Sequence, residues 1–174
     1  MNLWHDIEPG KVDAMNVVVE INKGSKNKYE MDKKTGLIAL DRVLNSTQDY
    51  PFNYGFIPQT LWKDGDPVDV VLLSTHQFVP GALVKVRPVA IMNMVDGGEG
   101  DDKVVAVPIE DPRWDSVQNL NTIDKHTLKE IEHFFSTYKK LQNKEVKTLG
   151  FKNKEEAEKC FTEGSQMYKD KYGK

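Results

Sequence analysis

The sequence predicts an α+β protein that is mostly β, with short strands in its first two thirds and helices in its last third. Apolar, β-branched runs alternate with turns that contain Gly or Pro, which is typical of strands joined by tight connections. The predicted strands are residues 17–21, 29–31, 37–40, 68–73, 82–95 and 104–107. Many short strands at this spacing favour a small barrel or a sandwich.

The last third of the chain changes to a helical period. The apolar stripe of the first predicted helix consists of Leu128, Ile131, Phe135 and Tyr138. Thr127 and Glu130 have the spacing of a capping box, which predicts the start of this helix. A second helix is predicted from near Asn153, although Gly164 is unfavourable inside it. Its predicted inward side chains are Ala157, Cys160, Phe161 and Tyr168.

Length and charge argue against several classes of protein. The 174 residues fit one domain, 1–174, with an adequate core. The net charge of −3 argues against a nucleic-acid partner, because such proteins usually carry a basic patch. Cys160 is the only cysteine, which rules out an internal disulfide and suits a reducing compartment. No apolar run is long enough for a membrane span, and residues 1–6 do not resemble a signal peptide, so we expect a cytoplasmic protein without a membrane partner.

Three carboxylates lie within six residues in the stretch Asp64-Gly65-Asp66-Pro67-Val68-Asp69. Gly and Pro place them on a turn, and the apolar run that follows predicts a buried strand that anchors it. Carboxylates this close repel one another, and a hard divalent cation is the usual reason to hold them together. An acidic surface turn is the alternative. The stretch does not fit an EF-hand, so any metal site is assembled from several segments.

Other charged residues are candidates, each with a structural alternative. Glu20 interrupts an apolar strand and either lies on its solvent face or serves a site. Lys28 and Glu30 share a face of the next strand, which a solvated pair explains equally well. The acidic, Gly-rich stretch at residues 96–103 has the pattern of a hairpin loop. If it faces residues 64–69, the two clusters are suited to hold two or more cations.

Several common catalytic patterns are absent from the sequence. It contains no Walker A pattern, no dinucleotide-binding glycine pattern and no Gly-x-Ser-x-Gly elbow. Cys160 lies on an apolar helical face, which favours the core over a nucleophile, and the four histidines do not have zinc spacing. Carboxylates with Lys, Arg and Tyr remain, and this combination suits a metal-bound phosphate substrate.

These residues give the chain a resemblance to the soluble family I inorganic pyrophosphatases of the prokaryotic type. The family signature Asp-Gly-Asp-Pro-x-Asp stands at residues 64–69, and the run Tyr50-Pro51-Phe52-Asn53-Tyr54 leads into it. A third matching block is Gly24-Ser25-x-x-Lys28-Tyr29-Glu30. Further residues follow in the family's order: Glu20, Arg42, Asp96, Asp101, Lys103, Tyr138 and Lys139. The resemblance covers residues 15–139 and extends more weakly to the C-terminus.

The resemblance implies a fold, a reaction and partners. The implied fold is a five-stranded, closed barrel of the OB type with flanking strands and two C-terminal helices. The implied reaction is the Mg²⁺-dependent hydrolysis of pyrophosphate to two phosphates, with several Mg²⁺ ions in each active site. Family members of this length are typically homohexamers, so a homohexamer is expected.

The resemblance also implies roles for individual residues. The implied metal ligands are Asp64, Asp69, Asp101, Asp96, Glu20 and Glu30. Asp66 is the implied general base for a metal-bound water. The implied phosphate-binding residues are Lys28, Arg42, Tyr54, Lys103, Tyr138 and Lys139. Asp102 is adjacent to Asp101, and the sequence does not separate their roles.

Three other functions are compatible with parts of the sequence. A binding module for single-stranded nucleic acid needs a basic groove with stacking aromatic side chains, whereas the aromatic residues here are interleaved with Asp and Pro. A different metal-dependent phosphoesterase would use the same ligands, so only substrate profiling separates it. The third alternative is a pyrophosphatase-like protein without activity, and the retained acidic residues argue against it.

Overall fold

The computed structural model describes residues 1–173, which form ten β-strands and two α-helices. The strands are β1 (Gly10–Lys11), β2 (Ala14–Ile21), β3 (Asn27–Met31), β4 (Ile38–Val43), β5 (Asn53–Phe56), β6 (Asp69–Leu72), β7 (Leu83–Asp96), β8 (Glu99–Gly100), β9 (Lys103–Pro108) and β10 (Val146–Asn153). The helices are α1 (Lys125–Thr137) and α2 (Lys154–Tyr172). The predicted mostly β protein with two C-terminal helices is confirmed. None of the helices in this part of the chain is long and apolar enough to cross a membrane.

Five strands pair in a ring. β2 pairs with β5, β5 with β6, β6 with β9, β9 with β7, and β7 pairs with β2 again. Of these pairings, β6–β9 is parallel and the others are antiparallel. β10 pairs with the second half of β7, beyond the stretch that contacts β2. Within residues 1–173, β3 and β4 pair only with each other, so this hairpin stands apart from the ring.

Each predicted strand is present with slightly shifted ends, but β5, β10 and the two-residue strands β1 and β8 were not predicted. β5 follows Pro51 and contains Gly55, and both residue types indicate turns. Gly55 is needed there because a Cβ at this position would come within 2.0 Å of the Val18 carbonyl oxygen in β2. In β10, Gly150 adopts a φ of 87° and interrupts the pairing with β7, which hides the strand from a periodicity search.

The apolar run of β6 is continuous because the strand is buried on both faces. Val71 packs in the same cluster as Phe134 and Phe135 of α1. Val70 packs in a second cluster, which includes Cys160 of α2. Cys160 is 3% exposed, and burial raises the pKa of its thiol, so the prediction that it belongs to the core is confirmed.

The predicted capping box of α1 is wrong. Asp124 caps the helix instead, and its Oδ1 accepts hydrogen bonds from the backbone N–H groups of His126 at 2.9 Å and Thr127 at 3.0 Å. Asp and Thr are both good capping residues, and an Asp placed before the helix satisfies two of its free N–H groups at once. The helix therefore begins at Lys125.

Gly164 lies inside α2 because the helix comes very close there to the segment that contains Leu61 and Val68. A Cβ at this position would be 2.7 Å from Val68 Cγ2, and the Gly164 carbonyl accepts a hydrogen bond from the Leu61 N–H at 2.9 Å. Leu61 and Val68 flank the acidic turn, so this contact also supports the segment that carries its carboxylates. The glycine that looked unfavourable from sequence is required by the packing.

We therefore expect Gly164→Ala to destabilise the protein by about 1 kcal/mol. The loss from overpacking, about 1–3 kcal/mol, exceeds the gain of about 1 kcal/mol in helix propensity. Urea denaturation measures the change. Ser165→Ala is the control in the same helix, because the Ser165 Oγ is buried without a hydrogen-bond partner in residues 1–173 and its loss should not destabilise. A Gly164→Ala protein as stable as the wild type would contradict this account of the packing.

Candidate active site

Twelve of the thirteen predicted site residues surround one open cavity of about 810 Å³. The cavity lies between the β3–β4 hairpin, the acidic turn at residues 64–69, the β7–β8 hairpin and the residues just after α1. The predicted residues that line it are Glu20, Lys28, Glu30, Tyr54, Asp64, Asp66, Asp69, Asp96, Asp101, Lys103, Tyr138 and Lys139. Arg42 does not line the cavity but forms an ion pair with Asp41, which does.

Local hydrogen bonds shape the acidic turn before β6. The Asp66 N–H donates to Asp64 Oδ1 at 3.0 Å, and the Trp62 N–H donates to the Asp66 carbonyl at 2.7 Å. Gly65 supplies the positive φ, 85°, that closes the turn. Asp69 then begins β6 and is held by pairing with both β5 and β9. The sheet therefore fixes Asp69, while Asp64 and Asp66 reach the cavity from the turn.

Lys103 places a buried positive charge among the carboxylates. It is opposite Asp69 in the parallel pairing of β6 and β9, and its Nζ donates to Asp69 Oδ2 at 2.6 Å. The same Nζ forms an ion pair with Asp101. Burial alone would lower the pKa of Lys103, but the two carboxylates more than offset it and raise the pKa. Lys103 is only 3% exposed, yet because of these two carboxylates its ammonium group is charged at neutral pH.

The carboxylates themselves are hard to ionise without a cation. Burial, together with the charges of Asp69 and Asp101, raises the pKa of Asp64 to about 6. Burial also raises the pKa of Asp69, because Lys103 offsets only part of the desolvation and the Asp101 charge adds to it. Carboxylates in this state bind a positive charge favourably, since it removes both their mutual repulsion and the cost of burial.

The β7–β8 hairpin brings the second acidic cluster to the same cavity as the first. Asp96 ends β7 opposite Glu99, across a turn formed by two glycines with positive φ. Asp101 faces the cavity and pairs with Lys103. Asp102 does not line the cavity, and its Oδ1 accepts a hydrogen bond from Asn93 Nδ2 at 2.8 Å. The structure thus separates the two adjacent aspartates, which the sequence alone does not.

Glu20 is buried at 7% exposure, so its alternative placement on a solvent face is wrong. Its Oε1 accepts a hydrogen bond from the Met31 N–H at 2.7 Å, which attaches β3 to β2. Burial, with a further contribution from the Asp69 charge, raises the pKa of Glu20 to about 8. Strand alternation predicted a solvent-facing side for β2, but both faces of this strand are covered. Val18, which shares a face with Glu20, is also buried.

The β3–β4 hairpin carries a group of alternating charges. Lys28 forms an ion pair with Glu30, and its Nζ donates to Asp41 Oδ2 at 3.1 Å. Arg42 also pairs with Asp41, and its Nε is buried without a hydrogen-bond partner in the described chain. Burial lowers the pKa of Lys28, although Asp41 opposes the shift. The partly desolvated ammonium of Lys28, which lines the cavity, is suited to bind an anion.

Two tyrosines place hydroxyl groups at the cavity. Tyr54 and Tyr138 are 8% and 5% exposed, and burial raises the pKa of both, so they remain hydrogen-bond donors at neutral pH. Lys139 follows Tyr138 directly and forms an ion pair with Asp96. Tyr50 is 1% exposed and packs against other aromatic rings, which fits a supporting role.

The donor set fits a hard divalent cation, although its members do not converge on one point. Within residues 1–173 no three Asp, Glu, His or Cys side chains are close enough to hold a metal ion together. Lysine ammonium groups instead form ion pairs with the carboxylates of Asp69, Asp101 and Asp96. All the candidate ligands are carboxylate oxygens, which Mg²⁺ and Ca²⁺ prefer. The pKa of Asp64 is raised chiefly by burial and further by the charges of Asp69 and Asp101, so a bound cation would favour its ionised form.

Two residues that pair with predicted site residues were not themselves predicted, and neither was Asn53, which holds loops together outside the cavity lining. Asp41 joins Lys28 and Arg42, and Lys33 forms an ion pair with Asp66. Asn53 is fully buried, donates to Ser74 Oγ at 2.7 Å and accepts backbone N–H groups from two loops. An acidic residue beside Arg42 was a usable signal for Asp41. No local pattern marks Asn53 or Lys33, because their partners are far away in sequence.

The fold and the site define a class of protein: a mostly β protein whose carboxylates and cationic side chains surround one cavity suited to a phosphate compound. The sequence matches the family described as inorganic pyrophosphatase over residues 17–169. It is 48% identical over 175 residues to an inorganic pyrophosphatase from Haloferax volcanii, with 99% of each chain covered. It is 46% identical over 167 residues to soluble inorganic pyrophosphatase 1 of Arabidopsis thaliana, covering 95% of this chain and 79% of the relative.

Solved structures agree with the sequence relatives. The inorganic pyrophosphatase of Thermus thermophilus superposes with a TM-score of 0.93 at 41% identity, covering 97% of this chain and 99% of that one. The enzyme of Helicobacter pylori gives 0.91 at 46% identity, with 94% and 99% covered. The chain belongs to the inorganic pyrophosphatase family. It is therefore an enzyme of the kind that hydrolyses inorganic pyrophosphate, and the family implies a divalent metal cofactor.

Proposed function

We propose that this chain hydrolyses inorganic pyrophosphate to two orthophosphates with Mg²⁺ as its cofactor. One observation carries the proposal: carboxylates and cationic side chains lie around the same cavity of about 810 Å³. The carboxylates of Asp64, Asp66 and Asp69 come from the acidic turn. The cationic groups come from other elements, chiefly β3 and the end of α1. A small, highly charged anion with bound cations matches both sets at once.

The carboxylates provide the proposed ligands for Mg²⁺. Asp64, Asp69 and Asp101 would hold the tightest ion, and Asp96 with Asp101 would hold an ion that arrives with the substrate. Glu20 and Glu30 would support a further ion from the hairpin side. When bound, Mg²⁺ withdraws electrons from the phosphoryl oxygens and lowers the pKa of a coordinated water.

The chain's own residues would carry the remaining steps. Asp66 accepts a proton from the attacking water, and the oxygen of that water forms a bond to one phosphorus atom. The bond from this phosphorus to the bridging oxygen breaks, and the second phosphate leaves. The residues proposed to hold the phosphate oxygens are Lys28, Arg42, Tyr54, Lys103, Tyr138 and Lys139. Arg42 lies beside the cavity, where it pairs with Asp41, and a guanidinium is a permanently charged group that binds phosphate through two nitrogens.

The same proposal includes the organisation of the protein. Residues 1–174 are proposed to act as one domain, in which the ring of β2, β5, β6, β9 and β7 is the closed OB-type barrel. The return of the pairing to β2 supports that barrel. A homohexamer in the cytoplasm, without nucleic-acid or membrane partners, stays a prediction from sequence, and light scattering of the purified protein tests the assembly.

Phosphate release tests the proposed function. Pyrophosphate, ATP and p-nitrophenyl phosphate are compared as substrates, each with Mg²⁺ and with EDTA. We expect fast release from pyrophosphate with Mg²⁺ alone. Equal release from ATP would favour the broader phosphoesterase. Absence of release with any metal would leave a protein of this fold without the activity, and an oligonucleotide mobility shift would then test the binding module.

The two adjacent aspartates of the β7–β8 region provide a matched pair of variants. We expect Asp101→Asn to lower kcat/KM by about 10²-fold, because it removes a proposed Mg²⁺ ligand and the partner of the Lys103 charge. Asp102→Asn should keep kcat/KM within about twofold, since Asp102 bonds to Asn93 away from the cavity. Steady-state kinetics measure both. Equal losses in the two variants would contradict the assignment of Asp101.

A further inference from the structure

Lys33 connects the tip of the β3–β4 hairpin to the acidic turn across the mouth of the cavity. Its Nζ forms an ion pair with Asp66 Oδ1 and donates to the Gly65 carbonyl at 3.3 Å. The same ammonium lies 5.7 Å from the centre of the Trp4 ring. A single side chain thus contacts the proposed general base, the backbone beside it and the N-terminal segment.

The hairpin tip that carries Lys33 is held in a defined position. Asp32 Oδ1 accepts the N–H groups of Lys34 at 2.9 Å and Thr35 at 2.6 Å, which closes the turn. Gly36 is buried and adopts a φ of 74°, and a Cβ there would come within 2.8 Å of Asn2 Cα. The base of the hairpin is attached through Glu20 and the Met31 N–H. The tip therefore offers Lys33 a fixed support.

The other contacts of the acidic turn hold its backbone and not the Asp66 carboxylate. Trp62 and the Asp64 side chain bond to the backbone of Asp66, and regular strand pairing starts only at Asp69. The Asp66 side chain is 50% exposed, so packing does not restrict its rotamer. Lys33 is the residue whose ion pair restricts it in the described chain.

We propose that Lys33 is a positioning residue, which holds the Asp66 carboxylate and the acidic turn at a fixed distance from the β3–β4 hairpin. The proposal rests on the proposed role of Asp66 as general base and adds the group that orients it. Both partners are about half exposed, at 54% and 50%, and exposed ion pairs stabilise a fold little. The effect of Lys33 is therefore expected on the geometry of catalysis rather than on stability.

Three variants test the role of Lys33. We expect Lys33→Gln to lower kcat about tenfold with KM within about twofold, because a displaced base reacts more slowly even when the substrate binds normally. Lys33→Arg should restore most of the loss, since the guanidinium is able to reach the same carboxylate. Lys34→Gln is the matched control: Lys34 also lines the cavity, so the variant removes the same charge from the same cavity, but the Lys34 ammonium forms no ion pair with Asp66 or with another carboxylate in residues 1–173. Its kcat should stay within about twofold of the wild type.

Amide hydrogen exchange of the metal-free proteins provides a readout independent of activity. The N–H groups of Gly65 and Asp66 should exchange faster in Lys33→Gln than in the wild type, and not in Lys34→Gln. An unchanged kcat in Lys33→Gln overturns the proposal, as does equal behaviour of the two glutamine variants in either measurement. If the wild type does not hydrolyse pyrophosphate, the proposed function fails, and the exchange rates still decide whether Lys33 holds the turn.

Discussion

Asp66→Asn is expected to lower kcat for pyrophosphate hydrolysis by about 10³-fold, within the range of a lost general base. An amide has the shape of a carboxylate but does not accept the proton of the attacking water. The hydrogen bonds that residue 66 makes within the turn use its backbone N–H and carbonyl, which asparagine retains. The fold and Mg²⁺ binding should therefore persist. Phosphate-release kinetics and Mg²⁺ calorimetry on the same preparation measure the two effects separately.

Asp102→Asn is the matched control for this experiment, because it makes the same chemical change outside the cavity. It should retain kcat within about twofold. A kcat for Asp66→Asn within tenfold of the wild type would remove Asp66 from the role of base. A parallel loss of Mg²⁺ binding would instead make Asp66 a metal ligand.

Mg²⁺ should raise the melting temperature of this protein, and by more at pH 8 than at pH 5.5. At pH 8, with Mg²⁺ at 100 times its dissociation constant, the gain is about 2.7 kcal/mol, or about 5–10 °C for a chain of this size. At pH 5.5 we expect less than half of that shift, because protons compete for the carboxylates. Differential scanning calorimetry with Mg²⁺ and with EDTA measures it.

The direction of this pH dependence follows from the raised carboxyl pKa values. The folded pKa of Glu20 is about 8 against an ordinary 4.5, and that of Asp64 is about 6 against 3.8. Between about pH 4 and pH 8 the folded state therefore binds more protons than the unfolded state, so the metal-free protein loses stability as pH rises. Mg²⁺ binds the ionised carboxylates, and its stabilisation grows over the same interval.

Controls separate binding from general salt effects. NaCl at equal ionic strength screens the same repulsion without specific binding and should give a much smaller shift. Asp64→Asn should lose most of the Mg²⁺ gain, whereas Asp102→Asn should keep it. Identical melting curves with Mg²⁺ and EDTA at pH 8 would contradict a multi-carboxylate metal site. So would equal shifts at the two pH values.

The strands and helices with a clear period could be predicted from the sequence, and the irregular ones could not. The runs that became β2, β6 and β7 are recognisable because burial selects β-branched residues along them. β5 was missed because Gly55 is there for close approach to β2, a contact that exists only in the folded sheet. Similarly, the cap of α1 was assigned to Thr127, and only the backbone geometry shows that Asp124 accepts the N–H groups.

For the candidate site, the ordered motifs identified which side chains surround the cavity, and the tertiary structure decided how they meet. The residues themselves indicated the acidic turn, and their resemblance to a known family added the roles of the hairpin residues and of the Tyr138–Lys139 pair. The sequence did not separate the roles of Asp101 and Asp102, and it did not show that Glu20 is buried. It also gave no sign that Lys33 contacts Asp66, which lies on a different element. The sequence by itself therefore determined the chemical groups and the family of this protein. Only the fold decided their partners, burial and pKa values, since these depend on contacts between residues far apart in the chain.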